Sequence, residues 1–306
     1  MNAKKKIAVL MGGTSSEREI SIASGTNIAE ALESLGKYEV VRVVLDADNL
    51  DAMPKDVDAV YIALHGGWGE SGGVQAALDA LHIPYTGPGA AASKLAMDKI
   101  ATKRRLDECA LPNAKWYAVA PGDCTGEVRA PLSLPVVVKT PRDGSSVGVY
   151  LARTIDEYKT AIENCRKLDP AEVLVEEYIS GRETTVGIIG RETLPPVEIV
   201  AKGGWYGWEE KYFSDETRYP FLEDEALSRS LQTLALAAFD ALGCRGVTRV
   251  DFRVDEAGRP YILELNTSPG FTAHSLVPKA GMKTGRTFAE VVEAILAAAD
   301  CECRKS

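Results

Sequence analysis

The sequence predicts an α/β protein in which a doubly wound parallel sheet is followed by a larger, strand-rich part. Strand and helix patterns alternate with glycine-rich loops over residues 6 to 87, the arrangement of a parallel sheet with helical crossovers. Beyond Pro112 the apolar runs become short and β-branched, with single helices between them. The stretch VTRVDFRVDEAGRPYILELNTSPG, residues 247 to 270, reads as a β-hairpin with its hydrophilic chemistry on one face.

The first strand is Ile7 to Leu10, ended by Gly12 and Gly13, and a helix starts near Ser16, where Ser16 and Glu19 form an S-x-x-E capping box. Tyr61 to Leu64 make another strand, followed by the loop HGGWGESGG (65 to 73) and a helix through Leu81. Ligands of such sheets lie beyond the carboxyl ends of the strands, and Glu17 and His65 occupy two such ends. The G-x-G-x-x-G of a dinucleotide-binding domain is absent after the first strand, which argues against that alternative. Turn residues cluster at Thr86 to Gly89 and mark a boundary, and a helix rich in Ala, Lys and Arg spans 90 to 110. Strands follow at Pro135 to Thr140, Val173 to Ile179, Glu183 to Ile189 and Val197 to Lys202. A helix at 155 to 167 has Thr154 and Glu157 as its capping box. A long helix at 224 to 242 carries Leu227, Leu231, Leu234 and Ala238 on one face and stops at Gly243. The last, at 288 to 299, has Phe288, Val291, Val292, Ile295 and Leu296 at helical spacing.

A chain of 306 residues is long enough to bury a core unaided, and its net charge of −9 argues against neutralising nucleic acid phosphates or an anionic membrane surface. Lys4 to Lys6 followed by Ile7 to Met11 resembles a signal peptide only until Gly12 and Gly13 end the apolar run. No segment reaches the roughly 18 apolar residues of a membrane span. The six cysteines, at 109, 124, 165, 244, 301 and 303, form no CxxC pair, so reduced thiols in a cytoplasmic protein are expected.

In the hairpin, Val250, Phe252 and Val254 face one way and Arg249, Asp251 and Arg253 the other, while Tyr261, Leu263 and Leu265 alternate with Glu264 and Asn266. A four-residue loop at 256 to 259 pairs Phe252 with Leu263 and Asp251 with Glu264, and sets Arg249 near Asn266. Opposed carboxylates destabilise a strand pair, so this face asks for a cation, and a hard ion such as Mg²⁺ suits carboxylate and amide oxygens. The plainer alternative is a solvated face whose carboxylates are shared with Arg249 and Arg253.

Three loops carry further signals. PRDGSSVGV, 141 to 149, can fold backbone N–H groups over phosphates, although it lacks the P-loop spacing and also suits a plain hairpin loop. Just before it, Lys139 ends an apolar strand and needs either an anionic partner or a route to the surface. The segment 203 to 221 holds seven of the 21 aromatic residues, too polar for a core strand, and reads as a lid or a self-packed Ω-loop. In NTSPGFTAHS, 266 to 275, Gly270 can offer its N–H to an oxyanion or simply make a turn.

In order along the chain, GGTSSEREIS (12 to 21), ALHG (63 to 66), MDK (97 to 99), VVVKTPRDGSSVG (136 to 148), EEYISGRE (176 to 183), EKYFSDET (210 to 217), TRVDF (248 to 252) and ELNTSPGFTAHSLVP (264 to 278) resemble the D-alanine:D-alanine ligases of the ATP-grasp superfamily. The resemblance implies a three-domain ATP-grasp fold divided at 1–87, 88–180 and 181–306, α+β in its ATP-binding part, with the 203–221 lid in the last domain. It implies a reaction of ATP with two D-alanines, through a D-alanyl phosphate, for the peptidoglycan precursor. By the same resemblance Asp251, Glu264 and Asn266 hold two Mg²⁺ ions, with Mn²⁺ as an alternative, and Lys99, Lys139 and Lys211 contact phosphates. Glu176, the backbone of Glu177 and Ile179, and Glu183 hold adenine and ribose. Glu17 receives the first ammonium within a hydrogen-bonded set with Ser145 and Tyr212, His65 lies at the substrate, and Ser275 holds the second carboxylate. Arg249 and the Gly270 N–H stabilise the oxyanion.

Small molecules are thus the implied partners, with neither nucleic acid nor membrane, and a homodimer is implied by the family. Trp68 and the sequence KTP after Val138 depart from the commoner family pattern, and the linker from about 119 to 134 is shorter than in some members, but no chemical group is lost. The nearest rival keeps the fold and takes D-lactate or D-serine as second substrate; Tyr212 favours D-alanine. A non-catalytic ATP-dependent amino acid sensor would have no need of Asp251, Glu264, Asn266 and Arg249 together.

Overall fold

The computed structural model describes residues 4–123, 126–142, 144, 147–201, 216–272 and 275–302, and three sheets organise them. In the first, β1 (Lys5–Gly12) lies between β2 (Tyr38–Leu45) and β3 (Ala59–Ile62), all parallel. Ile7 to Leu10 are completely or almost completely buried, as befits a central parallel strand covered on both faces. One cover is the helix Arg18–Ser34; the other contacts of that helix include Phe288–Ala297 from the far end of the chain. Val291, Val292, Ile295 and Leu296 share a core with Ile7, Val9, Ile28 and Leu32, so the last helix belongs by packing to the first sheet.

The second sheet is antiparallel, in the order β4 (Trp116–Val119), β7 (Val173–Glu177), β5 (Val136–Lys139), β6 (Val149–Ala152). The helix Ile155–Leu168 packs on it and has the expected capping box of Thr154 and Glu157. The third runs β10 (Val197–Ile199), β8 (Arg182–Ile189), β11 (Val247–Val254), β12 (Pro260–Asn266), with β9 (Glu192–Thr193) also on β8. Helix Glu225–Ala241 covers it through Leu227, Leu231, Ala235, Ala238 and Phe239. Leu234 is only partly buried, because the 3.6-residue repeat carries the buried stripe through Ala235 instead.

Several expected elements shift. The helix expected over 90 to 110 is two helices, Ala90–Met97 and Lys99–Glu108, broken at an extended Asp98 whose carboxylate caps the second by accepting from Ala101 N–H at 3.0 Å. Both pack on the third sheet, with Ala96 and Leu106 beside Phe252 and Ile262. The Ser16–Glu19 capping box does not form, since the first helix begins at Arg18 with Glu17 at its N-cap and no side-chain cap bond. Ser15 Oγ instead donates to the His65 carbonyl at 2.6 Å, tying the β1 loop to the β3 loop.

The hairpin register is half as expected. Asp251 pairs with Glu264 and Arg249 with Asn266, but Phe252 pairs with Ile262 rather than Leu263. The cause is the turn: Asp255 accepts from the Ala257 and Arg259 N–H groups, each at 2.9 Å, and its own N–H bonds the Arg259 carbonyl at 3.0 Å. That Asx-type turn is one residue tighter than the loop expected, and a bulge between Asp251 and Phe252 restores the register. Ile262 and Leu265 are therefore the buried residues of β12, and Tyr261 and Leu263 are half-buried.

Candidate active site

The hydrophilic face of the β11–β12 hairpin forms one wall of the site. Asp251, 5% exposed, receives both ends of the Arg249 guanidinium, at 2.9 and 2.8 Å. It also accepts from Thr185 Oγ1 at 2.5 Å, across from β8, and from Asn266 Nδ2 at 2.8 Å. Glu264, opposite Asp251 in the ladder, lies 3.9 Å from the Lys99 ammonium. Lys99 begins its helix beside the 141 to 148 loop, its N–H bonded to the Pro141 carbonyl at 2.9 Å. Two carboxylates, an amide and a guanidinium thus share one face, an oxygen-rich donor set of the kind a hard divalent cation takes.

Charge on the second sheet is arranged differently. Glu176 on β7 is ion-paired with Lys139 on β5 and, at 2.9 Å, with Lys103 from the helix Lys99–Glu108. Burial acts to raise the Glu176 carboxyl, but Lys103 and Lys139 outweigh it and hold it down at about 2. Burial likewise opposes the charge on Lys139, and Glu176, Glu264 and Glu183 together raise its ammonium above the ordinary value. Lys139 is therefore a cation that looks toward both carboxylate clusters.

Adjoining these, residues 177 to 183 cross from the second sheet to the third. The Glu177 N–H bonds the Lys115 carbonyl at 2.8 Å. The Ile179 carbonyl accepts from Arg253 Nε at 3.1 Å, and Glu183 accepts from Arg253 Nη1 at 3.4 Å. Arg253 also lies over the Tyr178 ring at 5.9 Å from its centroid. It orders this crossing.

From the first sheet come Glu17, His65 and Glu70. A methyl placed on Gly66, which has φ +63°, would approach Glu17 Oε2 to 2.8 Å, and one on Gly144 would come within 3.9 Å of it. The Glu17 carboxylate therefore sits against both glycine-rich loops, the tight one requiring glycine for space and for backbone conformation. His65 is held by Ser24 Oγ at 3.2 Å and by the Ser268 carbonyl at 3.0 Å. Burial lowers its pKa, against the pull of Glu17. Glu70 accepts from the Gly66 N–H at 3.1 Å, and burial together with the Glu17 charge pushes its carboxyl up to about 7.

The 266 to 275 segment reaches across to these groups. Ser268 Oγ donates to the Leu64 carbonyl at 2.6 Å, and the Phe271 N–H to Ser24 Oγ at 3.1 Å. A Cβ at Gly270 would meet Ser275 Oγ at 2.9 Å, so only glycine fits without displacing that hydroxyl. Ser275 Oγ accepts from the Thr272 N–H at 2.9 Å and stands at the N-cap of helix Leu276–Lys283.

Of the residues expected at the site, Glu17, His65, Lys99, Lys139, Glu176, Glu177, Ile179, Glu183, Arg249, Asp251, Glu264, Asn266, Gly270 and Ser275 fall on these connected surfaces. Ser145, Lys211 and Tyr212 lie outside the described residues, as do 203–215 of the expected lid. Its far end is packed: Arg218 and Val200 exchange backbone hydrogen bonds, and Tyr219 and Phe221 join the first core beneath Lys279 and Lys283. Sequence reasoning missed Lys103, Arg253 and Glu70. Arg253, set between Phe252 and Val254, carried a signal; Lys103 stood among other polar residues of its helix, and Glu70 carried none beyond its place in the loop.

A parallel amino-terminal sheet followed by two antiparallel sheets that carry the lysines and carboxylates is the architecture of the ATP-grasp ligases. The crystal structure of D-alanine–D-alanine ligase from Bacillus anthracis complexed with ATP matches with a TM-score of 0.84 and 31% identity, over 96% of this chain and 97% of that one. VanG D-Ala:D-Ser ligase from Enterococcus faecalis matches with a TM-score of 0.85 and 26% identity, over 97% and 99%. The family model described as D-ala D-ala ligase C-terminus matches residues 107–297, and that described as D-ala D-ala ligase N-terminus matches residues 6–50. The D-alanine–D-alanine ligase of Bordetella pertussis is 43% identical over 305 residues, 98% of this chain and 96% of the relative. That of Janthinobacterium is 41% identical over 310 residues, 95% and 94%. The chain belongs to the D-alanine–D-alanine ligase family.

Proposed function

We propose that the protein joins two D-alanines with ATP, through a D-alanyl phosphate, to give D-alanyl-D-alanine, ADP and phosphate for peptidoglycan precursor synthesis. The observation that carries this is the hairpin face, where Asp251 and Glu264 stand opposite one another, Arg249 and Asn266 bond Asp251, and Lys99 approaches Glu264. Such a set suits phosphoryl transfer to a carboxylate, which is a poor electrophile until activated.

Asp251, Glu264 and Asn266 fit Mg²⁺ or Mn²⁺ in donor chemistry, and two such ions would offset charge on the phosphates there. Lys99, Lys139 and Lys211 would meet the same phosphates. Glu176, the backbone of Glu177 and Ile179, and Glu183 would take adenine and ribose along the crossing that Arg253 orders. Glu17 would receive the ammonium of the first D-alanine beside His65, with Ser145 and Tyr212 completing its hydrogen bonds. Arg249 and the Gly270 N–H would stabilise the tetrahedral oxyanion, and Ser275 would hold the second carboxylate. Segment 203–221 would exclude water from the acyl phosphate.

We group the chain into segments 1–87, 88–180 and 181–306 and expect a cytoplasmic homodimer, on the family resemblance; among the described residues no helix is long and apolar enough to cross a membrane. The test is incubation with ATP, Mg²⁺ and D-alanine, with D-serine and D-lactate as competitors. D-alanyl-D-alanine with one ADP per dipeptide is expected. A mixed product in preference would replace the second substrate, and no ADP release would overturn the reading.

A further inference from the structure

Lys103 is a charged side chain that the reaction above does not use. Its side chain is 1% exposed, yet its ammonium stands 2.9 Å from Glu176 Oε2 and donates to Asn113 Oδ1 and to the Ala114 carbonyl, each at 3.2 Å. A buried ammonium is costly unless paired and hydrogen-bonded, so these contacts fix it in one place. Its helix packs on the third sheet through Leu106, whereas Glu176 and Lys139 belong to the second. The ion pair therefore ties a helix packed on the third sheet to a strand of the second.

One carboxylate is shared by two ammoniums here. Were Lys103 absent, Glu176 would be paired with Lys139 alone, and that ammonium would be fully committed to it. With Lys103 present, Glu176 is already compensated from its buried side. Lys139, paired with the other carboxylate oxygen, is the less buried of the two ammoniums, its side chain 11% exposed against 1% for Lys103.

We propose that Lys103 is a positioning residue for the nucleotide: it compensates and orients Glu176, and so leaves the Lys139 ammonium available to an anionic nucleoside triphosphate. This rests on the reading of Glu176 and Lys139 as nucleotide contacts. Neutralising Lys103 acts on ATP affinity through Glu176, and the two positions couple.

Calorimetric titration of the full chain with Mg²⁺ and a non-hydrolysable ATP analogue tests this without any need for turnover. Lys103→Gln should weaken binding by about tenfold, and Glu176→Gln added to it should bind more tightly than Lys103→Gln alone, since Lys139 is released. In the wild-type background Glu176→Gln should weaken binding, so its effect changes sign. Wild-type affinity in Lys103→Gln, or the same Glu176→Gln penalty in both backgrounds, would overturn the proposal. Should Lys103→Gln alone give no cooperative melt, the double variant is compared with Glu176→Gln. Equal affinity within about twofold is expected, because Lys103 then has no carboxylate to compensate, and a tenfold loss would overturn it. A wild-type chain that fails to bind the analogue would instead refute the nucleotide reading itself.

Discussion

Two clusters of three charges lie close enough for Glu264 of one to act on Lys139 of the other, and they are balanced in opposite ways. Lys103, Lys139 and Glu176 set two cations against one anion, deeply buried and compensated from within. Arg249, Asp251 and Glu264 set two anions against one cation, with Glu264 31% exposed at its side chain and only a 3.9 Å approach from Lys99. The first cluster is electrostatically complete and reads as a fixed scaffold. The second holds more acceptor oxygen than its own cation uses, which is what a site for an added cation and a phosphate requires. The lesson is that charge type alone does not separate structural from chemical roles; the balance of charge against burial does.

Breaking the second cluster should have the largest effect. Glu264→Gln keeps the shape and removes a proposed metal ligand, so dipeptide formation should fall roughly a thousand-fold while the thermal melt stays in place. Residual turnover near wild type, followed by ADP release, would place Glu264 among the solvated carboxylates. Next, Arg249→Ala should lower kcat by about 100- to 1000-fold with a smaller change in the ATP KM, the pattern of a group acting in the transition state. A rise in KM alone would assign Arg249 to holding Asp251.

The smallest effect sharpens the comparison at a third carboxyl. Glu70 makes no ion pair among the described residues, and its pKa rises from 4.5 to about 7 through burial and then the Glu17 charge, against the more distant Arg249. The fold favours its protonated form, so that contribution is fully present below the ordinary carboxylate range and is lost as pH rises through about 7. Glu70→Gln should therefore leave the Tm at pH 4 nearly unchanged and raise it by about 2 °C at pH 8. Equal shifts at both pH values would remove Glu70 from that account.

How much of this was legible in the sequence depends on the range of the interaction. Alternation along β11 and β12 made the Asp251–Glu264 and Arg249–Asn266 pairs readable, because parity alone decides which side chains share a face. The Phe252–Ile262 pair was not readable, since it turns on how tightly Asp255 closes its own loop. The break at Asp98 was hidden for a similar reason: a good helix composition on both sides masks a residue that caps better than it continues. Lys103 looked like any lysine of a polar helix, and only the approach of β7 from a distant part of the chain gives it a carboxylate. The last helix showed its apolar face plainly, but nothing local told that its partner was the first sheet.

The contrast between the clusters is tested most directly by counting bound Mn²⁺ by electron paramagnetic resonance, in the presence of a non-hydrolysable ATP analogue, for the wild type and Glu264→Gln. The account predicts about two ions per wild-type chain and fewer in the variant. The same count in both chains would contradict it, and would mean that the hairpin carboxylates are balanced, like Glu176, by the protein's own cations.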